Sequence, residues 1–364
     1  MGGGVVLAAT RDVVAMIRHS TLFLLTLEEG QLTAEDDDET VAENKQHPAK
    51  QGVTATAFFQ PDAADPGIFA LLLLVDERRL VHYEANALSK TVELRSVRVM
   101  PRNSTCMTRD RKTLMGHTTS MITCMAPTKD ASLLLTADRD EKIRVSHFPR
   151  TALVQSYCLG HKAALTRVVV SSVTPELAVS TSLDNTIKLW DVASGALLTS
   201  HELLANSDDQ DALLNVSLTI SATTNLVVVV VNDSELRFFA IEKAGEMEAS
   251  FTLSPKTLSA QMQVDVVAHE PTSAVFTERG VLVLAYRKSP FLRVFDVASV
   301  TEGSVALSEL SAHDELTRLR NEAAMIELPT EVKATDEDDT EGGLKKKKVK
   351  LMWTPKVVDT TTTN

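Results

Sequence analysis

The chain has 364 residues, of which 44% are hydrophobic, and carries a formal net charge of −12 at pH 7. Ten acidic residues fall within 35–39 and 336–341, so the rest of the chain is close to neutral. Such a body is not expected to hold RNA strongly by itself, because neutralisation of phosphates by Lys and Arg dominates that affinity. The longest apolar runs, Ile68 to Val75 and Leu226 to Val231, are too short to span a bilayer.

Three cysteines without metal-ligand spacing indicate reduced thiols, and Met1 to Gly4 lacks the basic start of a secretory signal. We therefore expect a soluble intracellular protein without a membrane segment.

The first strands, near Val5 to Leu27, are expected to close a ring with strands from the C-terminus. Residues 31–52 are polar and acidic, and are predicted to form a disordered insertion between strands.

Two copies of one repeat lie 44 residues apart in the middle of the chain. Gly116–His117 matches Gly160–His161 at that offset, and the segment that starts at Asp140 matches the one that starts at Asp184. The second copy ends in Trp190–Asp191. This period and this order of Gly-His, Asp and Trp-Asp are typical of a four-stranded blade of a WD-repeat β-propeller.

Weaker copies of the third-strand pattern occur at 77–83, 233–239 and 292–299, each after an apolar run. Blades of about 40–45 residues fill roughly seven positions between residues 1 and 305. The predicted fold is therefore an all-β, seven-bladed WD-repeat β-propeller over residues 1–305.

Two segments follow the predicted propeller. Residues 306–330 are predicted to be a short helical closing segment, because Leu316, Leu319 and Ala323 recur at helical spacing. This helix packs on the propeller, or alternatively binds a partner. Residues 331–364 are predicted to be a disordered tail, acidic and then basic.

The polar residues of the repeats are explained by structure before chemistry. His161, a Ser or Thr within 180–182, Asp184 and Trp190 are expected to form a hydrogen-bond chain inside one blade. His117 and Asp140 are assigned the same structural role, although Ser146 stands where the second copy has Trp190. No P-loop, strand-linked G-x-G-x-x-G, G-x-S-x-G or H-E-x-x-H motif is present, so no catalytic residue, cofactor or metal site is predicted.

One stretch is more specific than a generic blade. Residues 134–146, followed by Cys158–His161, resemble the WD-repeat non-catalytic subunit family of the tRNA guanine-N7 methyltransferases; the charges at Arg139, Glu141 and Lys142 go beyond what a blade requires. The resemblance implies a heterodimer in which a separate Rossmann-type subunit binds S-adenosylmethionine and methylates a guanine in the tRNA variable loop. The propeller would hold that subunit in its active conformation and help position the tRNA.

The resemblance also implies a set of partner-interface residues, namely Arg139, Asp140, Glu141, Lys142, Lys162 and Arg167. If these side chains are exposed or paired within the chain, each contributes only ~0–1 kcal/mol to the binding free energy. If Arg167 is instead buried against a charge of the partner, its loss costs ~2–5 kcal/mol of binding free energy.

The lysine run Lys345, Lys346, Lys347 and Lys348 has three interpretations: a nuclear localisation signal, an RNA-contacting tail, or a solvated tail. The predicted location is the nucleus, with the cytoplasm as a further compartment. Two other function classes stay open at this point. One is a propeller adaptor, such as a ubiquitin-ligase substrate receptor or ribosome-assembly scaffold. The other is a propeller enzyme with polar residues converging in the central channel.

Overall fold

The structure is a computed structural model of the full chain. It describes residues 6–9, 13–18, 21–26, 53–59, 68–75, 79–86, 91–99, 120–204, 216–232, 234–244, 250–288, 291–313 and 324–327. Within these ranges, no helical segment has the length and apolar composition of a membrane span.

The described residues form six antiparallel sheets, numbered here along the chain. Sheet 1 begins with β1 (Val6–Ala9), β2 (Val13–Arg18) and β3 (Thr21–Thr26). Sheet 2 contains β4 (Val53–Phe59), β5 (Ile68–Val75), β6 (Arg79–Asn86) and β7 (Thr91–Val99). Sheet 3 contains β8 (Ile122–Pro127), β9 (Leu133–Asp138), β10 (Lys142–His147) and β11 (Val154–Leu159).

Sheets 4 to 6 continue the same up-and-down order. Sheet 4 contains β12 (Leu165–Val170), β13 (Leu177–Ser182), β14 (Thr186–Asp191) and β15 (Leu197–Glu202). Sheet 5 contains β16 (Val216–Ile220), β17 (Leu226–Val231), β18 (Glu235–Lys243) and β19 (Phe251–Lys256). A helix, α1 (Ala260–Ala268), precedes sheet 6, which contains β20 (Pro271–Phe276), β21 (Leu282–Tyr286), β22 (Leu292–Val300) and β23 (Val305–His313). The last strand among the described residues, β24 (Ala324–Glu327), joins sheet 1 beside β3.

The first strands of the sheets lie side by side, which is the arrangement of propeller blades around an axis. β8 contacts β12, β12 contacts β16, β16 contacts β20, β20 contacts β1 and β1 contacts β4. The all-β propeller prediction is therefore confirmed. Within the described ranges there are six four-stranded sheets, so the count of seven blades stays a prediction.

Sheet 1 is completed by chain segments nearly 300 residues apart. Ala324 pairs with Leu24 and Glu327 with Thr21, so the C-terminal strand closes the sheet that the N-terminal strands begin. The predicted helix over residues 306–330 is wrong at both ends, because β23 runs to His313 and β24 starts at Ala324. An edge strand presents unpaired N–H and C=O groups, and pairing with them outweighs a weak helical preference. Residues 314–323, the predicted insertion 31–52 and the tail 331–364 lie outside the described residues.

The core lies between neighbouring sheets and is built from apolar second strands. All six residues of β17 and all five of β21 are buried, as their apolar runs predicted. Cys158 on sheet 3 and Trp190 on sheet 4 belong to one buried cluster between these two sheets. Sheets 3 and 4 are thereby held as one unit.

Helix α1 fills the connection between sheets 5 and 6. The Ser259 hydroxyl caps its N-terminus by accepting the Met262 N–H. The buried Arg293 guanidinium donates to Asp265 on the helix at 2.7 Å and to Glu309 on β23 at 2.6 and 2.7 Å. The helix is therefore fixed to sheet 6.

Candidate partner interface

The second copy of the repeat, from Gly160 to Asp191, folds around a buried hydrogen-bond chain, as predicted. Trp190 Nε1 donates to Ser180 Oγ at 2.7 Å, and Ser180 Oγ lies 2.8 Å from His161 Nε2. His161 Nδ1 lies 2.9 Å from a carboxylate oxygen of Asp184. Since the indole can only donate, the serine hydroxyl is free to donate to Nε2, and the Nδ1–H then donates to the carboxylate. The chain ties the loop before β12 to the β13–β14 turn.

Asp184 is the charged end of this chain. Burial by itself raises the pKa of a carboxyl group, but hydrogen bonds from His161, Thr186 and the Lys162 N–H outweigh that effect and hold the pKa of Asp184 far below its usual range. The Lys162 N–H donates to the Asp184 carboxylate at 2.8 Å. One predicted interface residue is thus fixed to the blade through its backbone while its side chain is exposed.

In the preceding repeat the structural aspartate is Asp138, and the role predicted for Asp140 is wrong. The Asp138 carboxylate, 2% exposed, accepts the N–H of Asp140 at 2.9 Å and that of Lys142 at 3.1 Å. Asp138 occupies the position of Ser182, whose hydroxyl accepts the Asp184 N–H in the second copy. A carboxylate there reaches two N–H groups of the turn, so Asp140 is left exposed. His117 lies outside the described residues.

The β9–β10 turn presents four of the predicted interface residues. Arg139, Asp140 and Glu141 are exposed and Lys142 is half-buried. Glu141 adopts a left-handed φ of 69°, matching 64° at Asn185 in the next repeat. That conformation is unusual for Glu, whereas Asn tolerates it well. The motif therefore keeps a charged side chain at a turn position where a blade alone would favour Asn or Gly.

Lys162 lies in the loop that connects sheet 3 to sheet 4, beside this turn. Lys142 pairs with Leu159, the last residue of β11, and Lys162 follows in the loop to β12. Five predicted residues therefore lie at the end of sheet 3 where β9 turns into β10, namely Arg139 to Lys142 and Lys162. These five residues form the charged edge of sheet 3.

Arg167 occupies a different element. It is exposed on β12, at an irregularity in the pairing with β13, and its guanidinium donates to the Thr166 carbonyl at 3.2 Å. Arg167 lies near the β13–β14 turn of sheet 4, which is equivalent to the β9–β10 turn of sheet 3, but it is on the first strand of the blade. Lys345 to Lys348 lie outside the described residues.

Exposed apolar side chains beside these charges were missed by the sequence reasoning. Met121, Tyr157, Leu159 and Leu183 are 48%, 47%, 60% and 44% exposed. The Met121 carbonyl accepts the Arg139 N–H, and Leu183 precedes Asp184. The sequence Tyr157-Cys158-Leu159 makes both faces of β11 apolar, but this indicates an exposed apolar face only once β11 is known to be an outer strand.

Two observations on the described residues concern metal ligands and one thiol. Among them, no three His, Cys, Asp or Glu side chains cluster as metal ligands would. Burial, with a smaller contribution from Asp191, raises the pKa of the Cys158 thiol to about 12, so that thiol stays protonated near neutral pH.

The fold and the hydrogen-bond chain from Trp190 to Asp184 define a class, the WD-repeat β-propellers. A chain of the mitotic checkpoint complex superposes with a TM-score of 0.53 at 15% identity, covering 78% of this chain and 86% of that chain. The β-propeller domain of Cps50 (Swd1) from Myceliophteria thermophila superposes with a TM-score of 0.50 at 10% identity, covering 79% of this chain and 95% of that chain. At these identities the likeness concerns the fold alone.

The family follows from sequence comparison. The family model described as the tRNA methyltransferase TRM82 WD40 domain matches residues 75–278, more than half of the chain, and the chain belongs to this family. The Dictyostelium discoideum relative, tRNA (guanine-N(7)-)-methyltransferase non-catalytic subunit wdr4, is 28% identical over 232 residues, covering 62% of this chain and 47% of its own.

Two further relatives carry corresponding names. Non-catalytic subunit trm82 of Aspergillus clavatus is 30% identical over 213 residues, covering 51% of this chain and 42% of its own. WDR4 of Mus musculus is 44% identical over 84 residues, covering 23% of this chain and 20% of its own. The chain thus spans less than half the length of each of these curated relatives.

Proposed function

We propose that this chain is the non-catalytic subunit of a heterodimeric tRNA (guanine-N7)-methyltransferase. It holds a Rossmann-type, S-adenosylmethionine-dependent catalytic subunit in its active conformation and helps position tRNA for 7-methylguanosine formation in the variable loop. The observation that carries the proposal is the family match over residues 75–278, which includes the charged edge of sheet 3.

The geometry of sheets 3 and 4 supports a scaffold. The hydrogen-bond chain from Trp190 to Asp184 and the shared buried cluster fix the loop that carries Lys162. A pre-organised surface loses little conformational freedom on binding, which favours affinity. The methyl-transfer chemistry belongs, in this proposal, to the partner.

The partner binds through Arg139, Asp140, Glu141, Lys142, Lys162 and Arg167. Four of these are basic and two acidic, so the surface selects a partner that presents carboxylates with a smaller number of cations. Like charges placed opposite each other cost several kcal/mol, so this pattern sets orientation and specificity more than affinity.

We further propose that tRNA is bound mainly by the complex, since the body of the chain is close to neutral. Lys345 to Lys348 would add a weak RNA contact or a nuclear address. The proposed location is the nucleus, with the cytoplasm as a further compartment.

The test is an affinity pull-down of the full chain from extract, read by mass spectrometry. Wild type is compared with Lys162→Glu/Arg167→Glu and with the matched control Lys129→Glu/Arg150→Glu, whose two exposed cations lie in the turns at the opposite end of sheet 3. A Rossmann-type methyltransferase should co-purify with wild type and control. The Lys162/Arg167 variant should lose the methyltransferase, because removing one partner of a charge pair buried in the interface costs ~2–5 kcal/mol of binding free energy. Absence of any methyltransferase from the wild-type sample would contradict the proposed function.

A further inference from the structure

The outer strand of sheet 3 has one face inside the protein and one face toward solvent. Cys158 is 1% exposed and packs in the cluster between sheets 3 and 4. Its neighbours Tyr157 and Leu159 point the other way and are 47% and 60% exposed. Two large apolar side chains two residues apart on one strand face thus lie next to each other in the solvent.

Cross-strand pairing places charged residues on the same face. Leu159 pairs with Lys142 and Tyr157 pairs with Arg144, and directly opposed residues of an antiparallel pair share a face. The turn from Arg139 to Glu141 borders this face at one end, and Lys162 follows Leu159 in the chain. The apolar pair therefore lies on the face that Lys142 and Arg144 share, next to the charged turn at one end of it.

The energetic roles of the two sets differ. Exposed ion pairs contribute little net binding energy because solvent screens them and long side chains lose freedom. Aromatic and aliphatic groups that are desolvated at the centre of an interface contribute most of it, while surrounding polar groups exclude water. A surface that used only the six charged residues would be selective but weak.

We propose that Tyr157 and Leu159 are the apolar anchors of the docking surface for the catalytic subunit. They receive an apolar side chain from a partner segment whose carboxylates face Lys142 and Lys162. This inference rests on the proposed function and adds the residues that carry its affinity. A protein segment is favoured over RNA, because Asp140 and Glu141 in the turn that borders this face repel phosphates and Leu159 offers no stacking surface for a base.

The test measures binding of the full chain to the purified methyltransferase recovered with it. In Tyr157→Thr/Leu159→Thr, threonine keeps β propensity while removing the apolar groups. The dissociation constant should rise at least tenfold, mainly through faster dissociation, and the loss should persist at high salt. Lys162→Glu should instead change the association rate and its salt dependence.

Controls separate the anchors from general effects. Leu153→Thr/Val173→Thr removes two apolar groups of similar exposure, 53% and 48%, away from the motif, and should bind as wild type does. Thermal unfolding confirms that each variant is folded. Binding of the Tyr157/Leu159 variant within twofold of wild type would overturn the inference while leaving the proposed function intact. If wild type does not bind the methyltransferase, both fall.

Two other occupants give distinct outcomes that also overturn the inference. If the variant weakens binding of transfer RNA to the chain alone but not binding of the methyltransferase, the face stacks bases. If the wild-type chain self-associates and the variant is monomeric with unchanged methyltransferase binding, the face joins two copies of the chain.

Discussion

At the scale of single residues, His161 and Asp140 show what spacing can and cannot decide. The hydrogen-bond chain through His161, Ser180 and Trp190 was predictable, because these side chains have few partners within one blade. The role of Asp140 was not, because Asp138 lies two residues earlier and either carboxylate could cap the same turn. Only the geometry shows that Asp138 reaches both N–H groups.

The low pKa of Asp184 has a consequence for stability in acid. A carboxyl whose pKa is depressed on folding stabilises the fold above its unfolded pKa of about 4, and this contribution is lost as pH falls toward the folded pKa. Asp184→Asn should therefore lower the free energy of unfolding by about 1.5–3 kcal/mol at pH 7. Urea unfolding should show a smaller difference from wild type at pH 3.

Asp140→Asn is the matched control, because it changes the residue that the repeat alignment equates with Asp184. Since Asp140 is exposed, this variant should stay within about 0.5 kcal/mol of wild type at both pH values. An equal loss for both variants at pH 7 would show that the Asp184 hydrogen bonds are not specifically stabilising.

At the scale of elements, long apolar runs were reliable and local composition was not. β17 and β21 were predictable because continuous apolar strands are buried on both faces. The segment around residues 306–330 was not, because β24 pairs with β3, about 300 residues earlier, while β23 pairs with the strand just before it, β22. Register between distant strands leaves no local pattern in the sequence.

The contact between sheets 3 and 4 includes a glycine with no room for a side chain. Gly195, with φ 76°, lies in the β14–β15 turn, where an added Cβ would overlap the Tyr157 carbonyl oxygen. Gly195→Ala should destabilise the fold by more than about 1 kcal/mol, since both the conformation and the space exclude a side chain. Gly303→Ala is the control, because nothing lies within 4 Å of its added Cβ. Equal melting temperatures for the two variants would contradict this packing.

At the scale of the whole molecule, the repeat predicted the propeller that the structure confirms, whereas its count of seven blades stays a prediction, because the described ranges contain six sheets. Sheets 3 and 4 carry the motif, whereas sheet 1 combines strands from both ends of the chain and shows no Gly-His or Trp-Asp signature. The charged edge was predictable from its motif. Its apolar neighbours were not, because Tyr157 and Leu159 look like core residues until β11 is known to be an outer strand.

The most direct test of the central claim is the rate of guanine-N7 methylation of tRNA by the purified catalytic subunit, with and without this chain. We expect 7-methylguanosine, measured by nucleoside mass spectrometry, to form at least tenfold faster with wild type than with Lys162→Glu/Arg167→Glu. The chain alone should form none. An equal rate without the chain, or methylation by the chain alone, would contradict its assignment as a non-catalytic scaffold subunit.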